Sequence, residues 1–121
     1  MGRRPSTPRS TRAVGRRAEL RALVHYAVRG YRVLGRNVWA GGNEVDLIVR
    51  RGRCVVFCEV KSKSGTGRGD PFDMVGPEKL RRVQRAAESW LAVHPELDGL
   101  ETAFEVVALR SGRLERVRVV I

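Results

Sequence analysis

The segment 43–63 constrains the fold of this chain more than any other part of the sequence. Its residues, NEVDLIVRRGRCVVFCEVKSK, contain two apolar runs, 45–49 and 54–61, on either side of Arg51-Gly52. Runs rich in β-branched residues around a glycine are typical of a β-hairpin. Three acidic residues lie within or beside these runs: Glu44, Asp46 and Glu59. Because an isolated carboxylate is costly in a strand that packs against a core, their presence needs a physical reason.

The hairpin also predicts its own register. If Arg51-Gly52 is a two-residue turn, Arg50 pairs with Arg53 and the side chains separate into two faces. One face is apolar and should pack beneath a helix: Val45, Leu47, Val49, Cys54, Val56, Cys58 and Val60. The other face carries the charged residues: Glu44, Asp46, Ile48, Val55, Phe57, Glu59 and Lys61. Glu44 then lies opposite Glu59, with Asp46 diagonal to it. A slip of one residue would separate the acids and bring charge into the apolar face, which favours this register.

Carboxylates grouped in this way need a counter-charge. Two of them about 6 Å apart repel by roughly 2–3 kcal/mol at an effective dielectric constant near 20. A divalent cation would relieve the repulsion, and hard oxygen ligands suit Mg²⁺ or Mn²⁺. The alternative is a salt-bridge network in which Lys61 and nearby arginines neutralise the acids, and the hairpin alone does not decide between the two.

The overall charge predicts a polyanionic partner. A net charge of +11 over 121 residues attracts nucleic acid above all, and DNA is the expected partner. The alternatives are a basic protein that is merely soluble and one that binds ribosomes or anionic lipid. No apolar run could span a bilayer and no signal peptide is evident, so we expect a cytoplasmic protein without membrane contact. Residues 1–12 carry four arginines and no acid. They are expected to form a disordered basic arm before a single domain over residues 13–121.

Apolar periodicity predicts an α/β fold in the order helix, three strands, helix, two strands. The first helix should span about 14–29, with an apolar stripe of Leu20, Leu23, Val24, Ala27 and Val28. The second should span about 77–93 after a glycine-rich loop. The strands outside the hairpin are expected at 31–38, 102–109 and 114–120.

Charged residues on the helices have two interpretations each. Glu19 is either a favourable charge near the start of the first helix or a carboxylate directed across the sheet at a metal ion. The apolar stripe expected on the second helix consists of Leu80, Val83, Ala87, Trp90 and Leu91. Lys79 and Arg82 lie off this stripe, where a charged face is usually only solvated. With this net charge they are also candidates, together with Lys63, for contacts to nucleic-acid phosphates.

The motif of the hairpin resembles that of known nucleases. Asp46, twelve intervening residues, and then Glu59-Val60-Lys61 match the D…ExK pattern of restriction-endonuclease-like, or PD-(D/E)xK, enzymes. More closely, the chain resembles the YraN-like family of bacterial proteins, which are thought to be similar to Holliday junction resolvases. The resemblance covers roughly residues 14–110 and rests on an ordered set of matches: Gly15, Glu19, Gly30-Tyr31, Arg36-Asn37, 44–48, 56–61, Lys79 and Arg82.

The resemblance implies a restriction-endonuclease-like core, α-β-β-β-α-β with an additional C-terminal strand, in which a mixed sheet is flanked by helices. It implies that Asp46 and Glu59 bind Mg²⁺ or Mn²⁺ and that Lys61 orients the attacking water or stabilises developing charge. Glu19 would complete the acidic cluster, and Glu44 matches an acidic position of the family motif. The chain departs from the family pattern at Asn43, which separates Gly42 from Glu44, and at Phe104-Glu105, where Phe-Asp is usual.

Three functions are compatible with this sequence. The first is a Mg²⁺-dependent endonuclease acting on branched or otherwise structured DNA, which could work as a homodimer. The second is a non-catalytic nucleic-acid-binding protein with the same fold, and the third is an accessory protein that binds another macromolecule. The set of Asp46, Glu59 and Lys61 favours the first, because a pure binder has no need of clustered acids facing phosphate.

Overall fold

The order of elements follows the predicted one. The computed structural model describes residues 9–63 and 76–119, with side chains described for 15–62 and 76–119. Its elements are α1 (Arg9–Val28), β1 (Arg32–Ala40), β2 (Asn43–Arg51), β3 (Cys54–Lys63), α2 (Pro77–Ala92), a single 3₁₀ turn (Pro95–Leu97), β4 (Glu101–Arg110) and β5 (Arg113–Val119). Helix α1 begins at Arg9, about five residues earlier than expected. The basic arm was expected over residues 1–12, but residues 9–12 belong to this helix. Residues 1–8 lie outside the described part of the chain, and the arm remains a prediction there.

The described strands form one mixed sheet between two helices. They lie in the order β1-β2-β3-β4-β5, and every neighbouring pair is antiparallel except β3 and β4, which are parallel. A parallel pair requires a crossover connection, and the segment that contains α2 provides it. The predicted fold class, an α/β sheet flanked by helices with an additional C-terminal strand, is confirmed. None of the described helices combines the length and apolarity required to cross a membrane.

Each helix covers one face of the sheet. On one side, Ala22 and Tyr26 of α1 pack against Leu47, Val49 and other strand residues. On the other side, Trp90 of α2 packs with Phe57 and its neighbours. The central strands are therefore covered on both faces, which explains why β3 reads as a nearly continuous apolar run.

The predicted apolar stripe of α1 is wrong except at Leu23, which is half-buried and packs against the core. The buried residues are Ala18, Ala22 and Tyr26, whereas Leu20, Val24 and Val28 are 55%, 50% and 72% exposed. Both sets have the same four-residue spacing, so periodicity alone could not choose between them. The two alanines allow α1 to approach the sheet closely, and the Tyr26 hydroxyl donates a hydrogen bond of 2.6 Å to buried Glu105.

The β2–β3 register also differs from the prediction. Arg51 pairs with Cys54 and Leu47 pairs with Cys58, so the turn consists of Gly52 and Arg53. The common two-residue hairpin turns require a positive φ at their first central residue. Gly52 has a φ of 60°, which is favourable for glycine and strained for an arginine. The glycine therefore takes the first position of the turn, and each strand is displaced by one residue from the predicted pairing.

Strand β2 changes its side-chain alternation at Asp46. Leu47 and Val49 pack on the α1 side, as regular alternation requires, but Val45 packs on the α2 side. The prediction that Val45 shares a face with Leu47 and Val49 is therefore wrong. The cause is a local irregularity in the strand, because alternation holds only while the strand is regular.

The neighbouring strand is irregular at the same level. Asn37, which lies between the paired residues Arg36 and Val38 and thus opposite Asp46, has a left-handed φ of 50°. Beyond it, Val38 and Ala40 pack on the α2 side. The side chains after Asn37 in β1 and before Asp46 in β2 consequently point to the opposite faces from those that regular alternation would give. This places Glu44 on the α1 side, so the predicted pairing of Glu44 directly opposite Glu59 is also wrong.

Candidate active site

Strands β2 and β3 separate at the level of Asp46. Their pairing ends at Leu47 and Cys58, while β3 continues beside β4 as far as Lys63. Beyond the separation, the backbone N–H of Val60 donates a hydrogen bond of 2.8 Å to Asp46 Oδ2. The side chain of Asp46 thus accepts a hydrogen bond from the β3 backbone at a level where the β2 backbone no longer pairs with β3. We call this point, between Asp46 and Val60, the fork.

Ionisation of Asp46 is opposed by its surroundings. The pKa of Asp46 is raised from 3.8 to about 6, mainly by burial and in smaller part by the charges of Glu19, Glu59 and Glu44, while the Val60 hydrogen bond acts in the opposite direction. The direction follows from elementary electrostatics, since a partly buried carboxylate near like charges favours the neutral form. The structure therefore brings the four acids proposed from the sequence into one electrostatic environment.

Two of these acids are held together on the α1 side. When its amide nitrogen faces the carboxylates, Asn37 donates hydrogen bonds of 3.3 Å to Glu19 Oε1 and to Glu44 Oε1. Glu19 therefore reaches across to the strands. The alternative role, a favourable charge near the helix start, is wrong because α1 begins at Arg9 and Glu19 lies far beyond its first turn. Asparagine tolerates the left-handed region better than most residues, which allows the strand to present this amide.

A lysine pair occupies the α2 side of the fork. Glu59 Oε1 lies 2.6 Å from Lys79 Nζ and 3.5 Å from Lys61 Nζ. Lys79 was predicted as a phosphate contact, and its described partner is instead a carboxylate of the site. Arg82 forms an exposed ion pair of 2.8 Å with Glu78. The side chain of Lys63 is outside the described set, and the phosphate contacts of all three cations remain predictions.

The β1–β2 turn fixes α2 beside the fork. Gly41 and Gly42 both have positive φ values, 57° and 76°, which is the conformation of a type I′ hairpin turn. A Cβ at Gly41 would lie 2.8 Å from the Arg85 carbonyl oxygen of α2. Asn43 Nδ2 also donates to the Gly41 carbonyl at 2.9 Å. The close approach of this turn to α2 positions the helix that carries Lys79.

Glu105 has a structural environment of its own. It is 2% exposed, and it accepts hydrogen bonds from Tyr26 at 2.6 Å and from Arg118 at 2.8 Å. Burial raises the pKa of Cys58, a neighbour in this core, to about 12, and both cysteines are free. The role that the sequence left open for Glu105 is therefore a buried, paired carboxylate that joins α1 to β4 and β5.

Asn37 is the site residue that sequence reasoning missed. It was included only as part of the family resemblance and given no role. The available clue was an asparagine inside a predicted strand, because asparagine is depleted in strands and enriched in left-handed conformations. The contact between Lys79 and Glu59 joins residues 20 positions apart and carried no local clue.

The donor set at the fork suits a hard divalent cation. No three Asp, Glu, His or Cys side chains of the described residues are grouped closely enough to hold a metal ion by themselves. Mg²⁺ does not require such a group, because it usually binds one or two carboxylates together with water and phosphate oxygens. Burial and the charges of Glu19, Glu59 and Glu44 raise the pKa of Asp46, and a bound cation would stabilise its ionised form. Asp46 and Glu59 therefore fit the group that the sequence motif implies.

Comparisons with known proteins identify relatives over most of the chain. The model of the family described as "Uncharacterised protein family UPF0102" matches residues 18–109. A UPF0102 protein of Anaeromyxobacter dehalogenans is 44% identical over 102 residues, which cover 83% of this chain and 74% of the relative. Relatives in Alkalilimnicola ehrlichii and Frankia casuarinae are 37% and 39% identical, covering 96% and 92% of this chain and 92% and 93% of their own lengths.

Proposed function

The chain belongs to the uncharacterised protein family UPF0102, and for this member we propose metal-dependent hydrolysis of phosphodiester bonds in DNA. The observation that carries the proposal is the fork. Asp46 is fixed there by the Val60 N–H, and Glu59 and Lys61 stand on the strand that diverges from it. This supports the proposal, because the D…ExK motif combines two oxygen ligands with a cation at one site.

The proposed reaction adds water across one ester bond. The water oxygen bonds to phosphorus, the bond from phosphorus to the leaving oxygen breaks, and the leaving oxygen takes up a proton. Asp46 and Glu59 would hold a Mg²⁺ or Mn²⁺ ion, which supplies Lewis acidity and lowers the pKa of bound water. Lys61 would orient the water or stabilise the negative charge that develops on the phosphate.

The acids on the α1 side would have a supporting role. Glu19 and Glu44 raise the pKa of Asp46 and so strengthen the negative potential at the fork. Asn37 holds both of them through its amide, which limits their movement towards solvent. Glu44 is in addition a candidate ligand of the metal, as the family motif implies.

The charge of the chain supports nucleic acid as the substrate. A net charge of +11 draws the polymer towards a site that would otherwise repel phosphate through its acids. Branched or otherwise structured DNA is the proposed target by resemblance to the resolvase-like enzymes. A homodimer is part of the same proposal, because two sites would be needed to cut two strands.

A non-catalytic nucleic-acid-binding protein is the second candidate. The ion pair between Lys79 and Glu59 favours it, because a lysine that neutralises a proposed metal ligand competes with the metal. The two candidates predict different effects of divalent cations. A nuclease consumes its substrate only when Mg²⁺ or Mn²⁺ is present, whereas a binder leaves every strand intact.

The test is a cleavage assay with purified protein on labelled linear, forked and four-way DNA. Cleavage should require Mg²⁺ or Mn²⁺, stop with a chelator, and fall at least about 100-fold in Glu59→Gln and Lys61→Ala, as expected for loss of a metal ligand or of transition-state stabilisation. Glu88→Gln and Arg81→Ala, at exposed positions of α2, are the matched controls. Absence of cleavage on all substrates with both cations would contradict the proposal.

A further inference from the structure

Trp39 is an exposed tryptophan on the edge of the sheet. Its side chain is 63% exposed, whereas Trp90 in the core is 7% exposed. Tryptophan is highly buried on average, because its ring contributes a large apolar surface to a core. Among the described strands, β1 has a neighbour on one side only.

The position of Trp39 relates it directly to the acidic site. Its Cα partner across the ladder is Glu44, which shares the amide of Asn37 with Glu19. Val38 and Ala40 on either side of it pack towards α2. Side chains alternate along a strand, so Trp39 lies on the α1 side, the same side as Glu44.

A cation stands on the same strand three residues away. Arg36 is exposed, and its ladder partner Leu47 packs on the α1 side. No ion pair involves Arg36 among the described residues. At a rise of about 3.3 Å per residue, the Cα atoms of Arg36 and Trp39 lie roughly 10 Å apart along the strand.

The chemistry of this edge suits a nucleotide better than an apolar protein surface. The ladder partner of Trp39 is a carboxylate and its exposed neighbours on β1 are polar or charged, so the ring is not part of an apolar patch on this strand. Proteins that bind single strands combine exposed aromatic rings, on which bases stack, with cations along the backbone. A base inside a regular duplex has both faces stacked and cannot bind in this way.

We propose that Trp39 and Arg36 bind an unpaired nucleotide beside the acidic site, with the indole stacked on the base and the guanidinium bound to a flanking phosphate. The inference rests on the proposed function, which supplies nucleic acid as the ligand. It narrows the substrate class to nucleic acids with an unpaired base near the cleaved bond. Overhangs, forks, bulges and single strands belong to this class, and an uninterrupted blunt duplex does not.

Intrinsic fluorescence tests the stacking without any cleavage. The full-length protein is titrated, with a chelator present, against single-stranded DNA, single-stranded RNA, forked DNA and blunt duplex DNA. The single strands and the fork should quench the tryptophan signal with saturation, and the blunt duplex should quench it far less. In Trp39→Phe the remaining tryptophan is buried Trp90, so the quenching should be lost while the core is untouched. Equal quenching in both proteins, or by duplex and single strand alike, would overturn the proposal.

Affinity measured on labelled oligonucleotides gives an independent readout. Trp39→Ala should weaken single-strand binding by about 5- to 100-fold, the usual effect of removing one stacked base, whereas Trp39→Phe should retain most of it. Arg36→Gln should reduce the slope of log affinity against log salt by about 1. Val93→Ala, at another exposed apolar position, should change nothing. Unchanged affinity in Trp39→Ala would contradict the proposal and favour a protein partner at this ring.

The two proposals can fail separately. Because binding is measured without divalent cation, stacking by a protein that never cleaves would reject the nuclease and keep the nucleotide site. Cleavage of forked DNA by Trp39→Ala at the wild-type rate, with substrate below saturation, would keep the nuclease and reject the site.

Discussion

At the scale of single residues, Asp46 is the group whose ionisation most affects the site. Its carboxylate accepts the Val60 N–H, which favours the charged form, but burial and three nearby acids oppose that charge more strongly. The ionised site is therefore maintained at a cost in folding free energy. A metal ion that binds only the folded protein would offset this cost.

The stability of the metal-free protein should fall as pH rises from about 4 to about 6. The pKa of Asp46 is about 6 in the folded protein and 3.8 in the reference state, so the folded state holds the extra proton within this window. The loss should reach about 1–3 kcal/mol and level off above the folded pKa. Denaturant titrations at pH 4.5 and 7.5 should show the loss in the wild type, with a smaller change in Asp46→Asn.

Asp46→Asn should also be the more stable protein at pH 7.5, by about 1–3 kcal/mol. The amide oxygen can still accept the Val60 N–H, while the buried charge is removed. Glu88→Gln serves as the control for loss of an exposed acid and should be nearly neutral. A destabilised Asp46→Asn would show that the carboxylate is stabilising in the folded state.

Asn37 offers a second test at this scale. Asn37→Gly accepts the left-handed φ of 50° but removes the amide, so it should fold normally and release Glu19 and Glu44. The free energy of unfolding of Asn37→Ala should be lower by a further ~1–2 kcal/mol, because alanine is strained in the left-handed region. If the amide positions the acids, both variants should show weaker Mn²⁺ binding by calorimetry. Wild-type affinity in Asn37→Gly would reject the positioning role.

At the scale of elements, the fork depends on departures from regular strand geometry. The alternation change at Asp46, the left-handed Asn37 and the end of the β2–β3 pairing all occur at one level of the sheet. The β1–β2 turn then holds α2, and hence Lys79, against this level. Strands, turn and helix therefore position the charged groups together.

The turn can be tested by paired glycine substitutions. Gly42→Ala introduces only backbone strain, since nothing lies within 4 Å of the added Cβ. Gly41→Ala adds a contact of 2.8 Å with the Arg85 carbonyl and must displace α2. We expect Gly42→Ala to cost about 1 kcal/mol and Gly41→Ala about 2 kcal/mol or more in unfolding free energy. Equal costs would show that the close approach to α2 is unimportant.

The order of elements could be predicted because its determinants are local. Apolar strand runs, Pro77 at the start of α2 and glycines near the turns are all visible in the sequence. The pairing of β2 with β3 could not be fixed in the same way, because it depends on which residue takes the strained position of the turn. The buried stripe of α1 was ambiguous for another reason, since the partner of Tyr26 is Glu105, 79 positions later.

The candidate site was accessible from sequence only in part. Asp46, Glu59 and Lys61 were selected because charges interrupt apolar strands and match a known motif. The arrangement of the acids around them could not be predicted, because the irregularity at Asp46 moves Glu44 to the α1 side of the sheet. The amide bridge of Asn37 and the Lys79–Glu59 pair arise from tertiary contacts that no local pattern encodes.

At the scale of the whole molecule, a basic chain surrounds an acidic site. The excess of positive charge is spread over a surface in which many arginines are exposed, while the acids at the fork raise the pKa of Asp46. The exposed arginines therefore attract phosphate over a long range, whereas the acids at the fork repel it locally. A divalent cation at the fork would reverse the local repulsion.

Nucleic-acid binding by the intact protein should therefore weaken steeply with salt. Each phosphate contact contributes a slope of about −0.7 for single strands and −0.9 for duplex in log affinity against log salt. Three or more contacts predict a slope of about −2 or steeper, measured by fluorescence anisotropy between low and physiological salt. Affinity that hardly changes with salt would exclude phosphate contacts as the source of binding.

The central claim is that the fork is the centre of a phosphodiesterase, and Asp46→Asn tests it most directly. This variant is expected to be folded and more stable than the wild type, so a loss of activity cannot be attributed to unfolding. In single-turnover cleavage of forked DNA with Mg²⁺, the wild type should cut and Asp46→Asn should be at least about 100-fold slower. Cleavage by Asp46→Asn at the wild-type rate would contradict the account.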